Sequence, residues 1–144
     1  MPVSPLQTQN RLHTAGLIVI NDNKLLLAFS NNKRAWYLPG GKIDPGESAI
    51  QSLIREIEEE LQVELSETDL KPYYHISAPA FGEENNLIME QDCFIGSPND
   101  AYKASGEIGG IKYFSYESYK AQEPLVPGVI TAFEKLIADG ILST

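Results

Sequence analysis

Residues 48–63, SAIQSLIREIEEELQV, put an apolar stripe and a carboxylate cluster on one short segment, and few folds can accommodate both. Ala49, Leu53, Ile57 and Leu61 recur every fourth residue, flanked by Ile50 and Ile54. A helix would turn this stripe toward a core. Ser48 with Gln51 three residues on has capping-box spacing, and Pro45-Gly46 just upstream is a turn signal. The spacing predicts a helix that starts at Ser48 and ends near 61–63. On it Glu56, Glu59 and Glu60 stand at i, i+3 and i+4, so their carboxylates converge on one side. Glu58 and Glu64 add negative charge nearby.

Such a cluster is unfavourable on a plain surface helix. Like charges at i, i+4 destabilise by about 0.2–0.5 kcal/mol per pair. Negative charge in the last turn opposes the helix dipole by about 0.3–1 kcal/mol each. Arg55 is the only Lys or Arg between Lys42 and Lys71. A divalent cation would relieve the repulsion, because hard ions take carboxylate oxygens. A solvated acidic face is the bland alternative.

At 144 residues with a hydrophobic fraction of 42%, the chain reads as one globular domain, 1–144, with a poorly ordered lead-in over 1–10. No apolar run reaches the roughly 20 residues of a membrane span, and MPVSPLQTQNR lacks the apolar core of a signal peptide. Cytoplasmic residence is the default expectation. The formal net charge of −9 argues against a nucleic-acid polymer as partner. A small anionic substrate held through metal ions stays compatible with it. Cys93, the single cysteine, reads as a buried small residue, and His13 and His75 read as structural.

Residues 15–20 and 24–29 are β-rich runs joined by Asn21-Asp22-Asn23, a hairpin signal. Residues 69–77, 87–95 and 111–115 read as further strands, 96–110 as loop, and 126–137 as a closing helix. Strands on both sides of an early helix indicate a mixed sheet between helices.

Gly41, Glu47, Arg55, Glu56, Ile57, Glu59, Glu60 and Val63 fill eight of the nine fixed positions of a known pattern. The pattern is Gly, five residues, Glu, seven residues, Arg-Glu, apolar, any, Glu-Glu, any, Gly, apolar. A match this good arises by chance in roughly one chain in 10⁵ of this length. The segment resembles the signature of the Nudix hydrolase superfamily. Gln62 departs from it, standing where the family has Gly. Either the helix runs on past Leu61 or Gln62 takes a strained left-handed backbone.

The resemblance implies an α/β (α+β) fold, an α/β/α sandwich on a mixed sheet, and cleavage of a diphosphate bond in a nucleoside di- or triphosphate derivative. It implies Mg²⁺, or Mn²⁺, as cofactor. Glu59 and Glu60 match the family's metal-binding pair, Glu56 a further ligand or base-side carboxylate, and Gly40 a backbone-carbonyl ligand. Arg55 and Glu47 match a pair that braces loop against helix. Glu107 resembles an acidic residue placed on a loop facing the helix, a candidate general base, with Glu83, Glu84 and Glu90 behind it. Lys42 is a candidate phosphate contact. Trp36 and Phe81, with Phe29 and Tyr37, are candidate base-stacking aromatics. Pro79 resembles a marker of the ADP-ribose-cleaving subgroup. The expected partner is a small nucleotide, with a homodimer allowed. Two alternatives share the fold: a sensor domain that binds a nucleotide without cleaving it, and an isopentenyl diphosphate isomerase, for which no matching residue set surrounds Cys93.

Overall fold

The computed structural model of the protein describes residues 10–83 and 87–144. The expected lead-in lies outside them except for Asn10, and so does Glu84.

The hairpin signal is realised by β1 (Arg11–Asn21) and β2 (Lys24–Ser30). Asp22 and Asn23 both take positive φ, 53° and 59°, which is the backbone that a two-residue hairpin turn requires. Residues 15–19 of β1 are all buried. Alternate side chains serve opposite faces: Ile18 joins one apolar layer, while Leu17 and Val19 join the other. A strand covered on both sides reads as a continuous apolar run, and this one does.

β3 (Ala35–Tyr37) and β4 (Gly40–Lys42) follow, then α1 (Ala49–Leu61), β5 (Lys71–Pro79), β6 (Ile88–Gly96), β7 (Ile108–Phe114), α2 (Tyr116–Lys120) and α3 (Pro127–Ala138). The main path of the sheet runs β3-β2-β1-β6-β5, with β4 also on β1 and β7 also on β2. β1 and β6 are parallel, while the other pairs are antiparallel, so the sheet is mixed. Leu53, Ile57 and Leu61 of α1 pack into the layer on one face; Val129, Phe133 and Leu136 of α3 pack into the layer on the other. The expected α/β/α sandwich is the observed fold. No helix among the described residues is long and apolar enough to cross a membrane.

α1 forms for the reasons its sequence suggests. The Ser48 side chain accepts from the Gln51 backbone N–H and the Gln51 side chain accepts from the Ser48 N–H, completing the capping box. Burying Leu53, Ile57 and Leu61 fully stabilises by about 1.5–3 kcal/mol each. That outweighs the few tenths of a kcal/mol per carboxylate pair on the opposite side.

β1 starts earlier than expected, β5 and β7 are shifted, and β3, β4 and α2 are additional. β7 begins at Ile108 rather than 111, reclaiming residues assigned to a loop. Gly109 and Gly110 read as loop, yet a Cβ at Gly109 would lie 2.2 Å from Asn31 Oδ1, so glycine there leaves room for the Asn31 side chain against the strand. Pro79 ends strand β5, two residues beyond the expected 69–77. β5 is an edge strand, where proline is tolerated.

Gln62 resolves the helix ending. It caps α1 in the left-handed region, with φ 59° and ψ 29°, and its N–H donates to the Glu58 carbonyl at 3.1 Å. The strain is accepted and the helix does not run on. Replacing Gln62 with Gly removes the Cβ penalty, worth about 1 kcal/mol, and forfeits only the long side-chain contacts to Lys103 O (3.4 Å) and Ala104 O (3.5 Å). Gln62→Gly should therefore stabilise the protein by about 0.5–1 kcal/mol in urea unfolding. A loss of stability would show that the amide contacts outweigh the strain.

Candidate active site

Arg55 is where the loop before α1 meets the carboxylates on it. Its Nε and Nη2 bond both oxygens of Glu47 at 2.8 and 2.9 Å. Its Nη1 donates to Glu56 Oε1 at 2.8 Å and lies 3.5 Å from Glu59 Oε1. Nη2 also reaches the Lys42 carbonyl at 3.2 Å, and the buried Ser52 hydroxyl donates to that same carbonyl at 3.0 Å. One guanidinium thus fixes the loop, through Glu47 and Lys42, to the acidic face. A planar five-donor fork can do this where an ammonium could not. The Arg55 bonds, helped by the Asp44 N–H, hold the Glu47 carboxyl down at about 2. In return the Glu47 bond raises Arg55 above its usual value, against the opposing effect of burial.

The two glycines of the loop are needed for distinct reasons. Gly40 has φ 140°, and a Cβ there would stand 2.0 Å from the Ala15 carbonyl oxygen of β1. At Gly41 a Cβ would stand 2.5 Å from the Glu56 carboxylate. Pairing of β4 with β1, Gly40 opposite Gly16 and Gly41 opposite Ala15, seats both against the sheet. The Gly40 N–H then donates to Glu60 Oε1 at 3.1 Å.

At the other end of α1 the chain returns to cap it. Lys103 N donates to Leu61 O at 3.1 Å and Ser105 N to Glu60 O at 2.8 Å, satisfying carbonyls that the helix leaves open. This return places Glu107 close enough for its charge to act on Glu60. Glu107 is itself exposed, and its carbonyl accepts from Asn31 N at 3.0 Å.

A cavity of about 320 Å³ opens beside these groups, within the size range of small-ligand sites. Gly40, Gly41, Lys42, Glu60, Phe81 and Glu107 line it, as do Tyr37 and Glu83. Trp36 does not. It packs edge-on between Phe29 and Phe114, at 5.2 and 5.0 Å between ring centroids, so the expected base-stacking ring is instead partly buried against the core. Phe29 shares that packing. Glu90 is also elsewhere, bonded to His75 and Ser77 of β5 and to Arg11 at the start of β1. Cys93 is buried, and burial pushes its thiol up to about 12, which makes it unreactive.

The NUDIX domain family model matches residues 10–136. The chain belongs to the Nudix hydrolase family. Its class of reaction is hydrolysis of phosphoric anhydrides. It is 33% identical over 109 residues, 72% of this chain and 68% of the relative, to a putative 8-oxo-dGTP diphosphatase of Bacillus subtilis. It is 39% identical over 57 residues to the CTP pyrophosphohydrolase of Escherichia coli, a match spanning 37% of this chain and 42% of that one. Its fold superposes on the MutT NUDIX hydrolase of Burkholderia pseudomallei with a TM-score of 0.72 at 19% identity, covering 89% of this chain and 99% of the other.

Nudix hydrolases generally use divalent metal ions, and the donor set here fits one. Burial, opposed by the Gly40 N–H and reinforced by Glu56, Glu59 and Glu107, pushes the Glu60 carboxyl up to about 8. Burial also raises Glu56, although Arg55 opposes it. Carboxylates this reluctant to ionise want a cation beside them. Among the described residues no three His, Cys, Asp or Glu side chains already stand together as a metal cage, and Arg55 bonds oxygens of Glu56 and Glu59.

Sequence spacing could not identify the Gly40 N–H as Glu60's partner, nor the return of residues 103–105. Both are contacts between distant segments, and the one local hint was the paired glycine.

Two measurements follow. Folded Glu60 keeps its proton up to about 8, while an ordinary glutamate loses it near 4.5. Between those values the folded state binds more protons, so the metal-free protein loses stability as pH rises. His75, raised by its bonds to Asp92 and Glu90, acts in the same direction. Glu60→Gln isolates the Glu60 share: in chelator it should match the wild type near pH 5 and exceed it at pH 8 by on the order of 1–3 kcal/mol. Parallel stability curves would refute the burial of this carboxyl. Second, a double-mutant cycle of Arg55→Ala and Glu47→Ala should show strong non-additivity in thermal stability, whereas additive losses would mean that the pair is not coupled.

Proposed function

We propose that the chain is a divalent-metal-dependent pyrophosphohydrolase that cleaves the diphosphate bond of a nucleoside di- or triphosphate derivative. The observation that carries this is Glu60. It is a half-buried carboxylate poised to trade its proton for a cation, with Glu56 and Glu59 on the same helix, beside a cavity of ligand size. The names of the two curated relatives support a nucleoside triphosphate as the substrate class.

Glu56, Glu59 and Glu60, with the Gly40 carbonyl, would hold Mg²⁺ or Mn²⁺. When bound, the ion neutralises diphosphate oxygens and acidifies water. Arg55 keeps Glu56 and Glu59 aligned and Glu47 braces Arg55, so their role is positioning. Lys42, exposed at the cavity, offers positive charge to a phosphate. Glu107 takes the proton from the attacking water. Phe81, held edge-on to Tyr37 with ring centroids 6.2 Å apart, presents a flat apolar surface to a base. The products are a nucleoside monophosphate and either pyrophosphate or a phosphorylated remainder.

The test is hydrolysis of nucleoside triphosphates and ADP-ribose with Mg²⁺ or Mn²⁺ in ¹⁸O-labelled water. Label should enter one product only. Glu59→Gln and Glu60→Gln should each remove most turnover, as should excess chelator. Glu107→Gln should cost about 10²–10⁴-fold, the usual range for loss of a general base. Full turnover in chelator, or release of orthophosphate alone, would overturn the proposal.

A further inference from the structure

Gln91 is a feature of the cavity that the proposed chemistry leaves unused. It sits in the middle of β6, opposite Thr14 of β1 and Ile76 of β5, so strands on both sides fix its backbone. Its side chain crosses above Gly16 of β1. A Cβ at Gly16 would lie 2.9 Å from Gln91 Cδ and 3.0 Å from Nε2, so the absence of a side chain there makes room for the amide. Gln91 is only 7% exposed, yet it lines the cavity.

The hydrogen-bonding capacity of that amide is nearly unspent. Its Oε1 meets the Cys93 thiol at 3.9 Å, a weak contact, and its Nε2 donates to no described residue. No side-chain N or O sealed from solvent lacks a partner among the described residues, so the free amide atoms open to the cavity and not to the core. Fixed by its strand and open to the cavity, the amide holds a donor and an acceptor ready for a group that replaces water there.

Its surroundings say which group. The residues that β1 and β6 give the cavity, Leu12, Thr14, Met89 and Gln91, are neutral, whereas its charged lining, Lys33, Lys42, Glu60, Glu83 and Glu107, comes from other segments. Phosphates belong with that charged lining, and the β1–β6 side offers them no cation. A nucleobase suits it: an uncharged plane whose edge carries a donor beside an acceptor. A glutamine amide matches such an edge with two parallel hydrogen bonds. The rings of Tyr37 and Phe81 line the same space.

We propose that Gln91 is a specificity-determining residue whose side-chain amide pairs with the hydrogen-bonding edge of the substrate's nucleobase. The choice of a nucleotide as ligand rests on the pyrophosphohydrolase reading. The test is therefore a binding measurement that needs neither metal nor turnover. AMP, CMP, GMP, UMP and the base-free ribose 5-phosphate are titrated by NMR into the full chain, its Gln91→Leu variant and its Gly16→Ala variant. Triphosphate hydrolysis is assayed on the same preparations.

The wild type should bind one or more monophosphates more tightly than ribose 5-phosphate. Gln91→Leu should weaken the preferred nucleotide by about tenfold to a hundredfold and leave ribose 5-phosphate unchanged. Gly16→Ala, which displaces the amide without removing it, should erode the same preference. Selectivity unchanged in Gln91→Leu, or a wild type that holds nucleotides no better than ribose 5-phosphate, would overturn the role of Gln91. Hydrolysis in those preparations would leave the pyrophosphohydrolase reading standing. Selectivity lost in Gln91→Leu, with no hydrolysis by the wild type, would support Gln91 and defeat the catalytic reading instead.

Discussion

The repulsion among Glu56, Glu59 and Glu60 is the constraint around which the site is arranged. Three carboxylates on one turn and a half are tolerated because the opposite face of α1 buries Leu53, Ile57 and Leu61 completely, and because Arg55 reaches two of the three. The third, Glu60, has among the described residues only the Gly40 N–H for a partner. It answers by holding its proton. Stability and reactivity are thus opposed at one residue: what is costly in the metal-free protein is what gives a cation a reason to bind.

The supporting parts act on that same residue from opposite ends of α1. Gly40 and Gly41 let the loop press against β1 and bring an N–H to Glu60. Past the helix, the strained Gln62 turns the chain, and residues 103–105 come back to cap it. That return sets Glu107 by the same cavity. Glu107, the carboxylates of α1 and the Gly40-Gly41 pair are far apart in the chain and converge because β4 pairs with β1 and the loop before β7 pairs with the end of α1.

What could be read beforehand follows from the range of each interaction. The capping box of Ser48 and Gln51, the stripe of α1 and the Asn21-Asp22-Asn23 turn are written within a few residues, and all appear where their spacing puts them. β3 and β4, three residues each, are too short to show a period. α2, at five residues, is similarly brief. The start of β7 was hidden because Gly109 and Gly110 look like a turn when only local signals count. Trp36 was misread for a related reason: an aromatic beside the glycine loop is equally suited to stacking a ligand or packing on Phe29 and Phe114, and only the pairing of β2 with β3 decides. The burial of Gln91 had no local signature at all.

The central claim is that Glu60 holds its proton at neutral pH until a cation replaces it. Carbon-detected NMR titration of the glutamate carboxyls, assigned by comparison with Glu60→Gln, measures this directly. In metal-free protein the Glu60 resonance should titrate near 8, and saturating Mg²⁺ should leave it ionised throughout the neutral range. A metal-free midpoint at the ordinary glutamate value near 4.5, unmoved by Mg²⁺, would contradict the account.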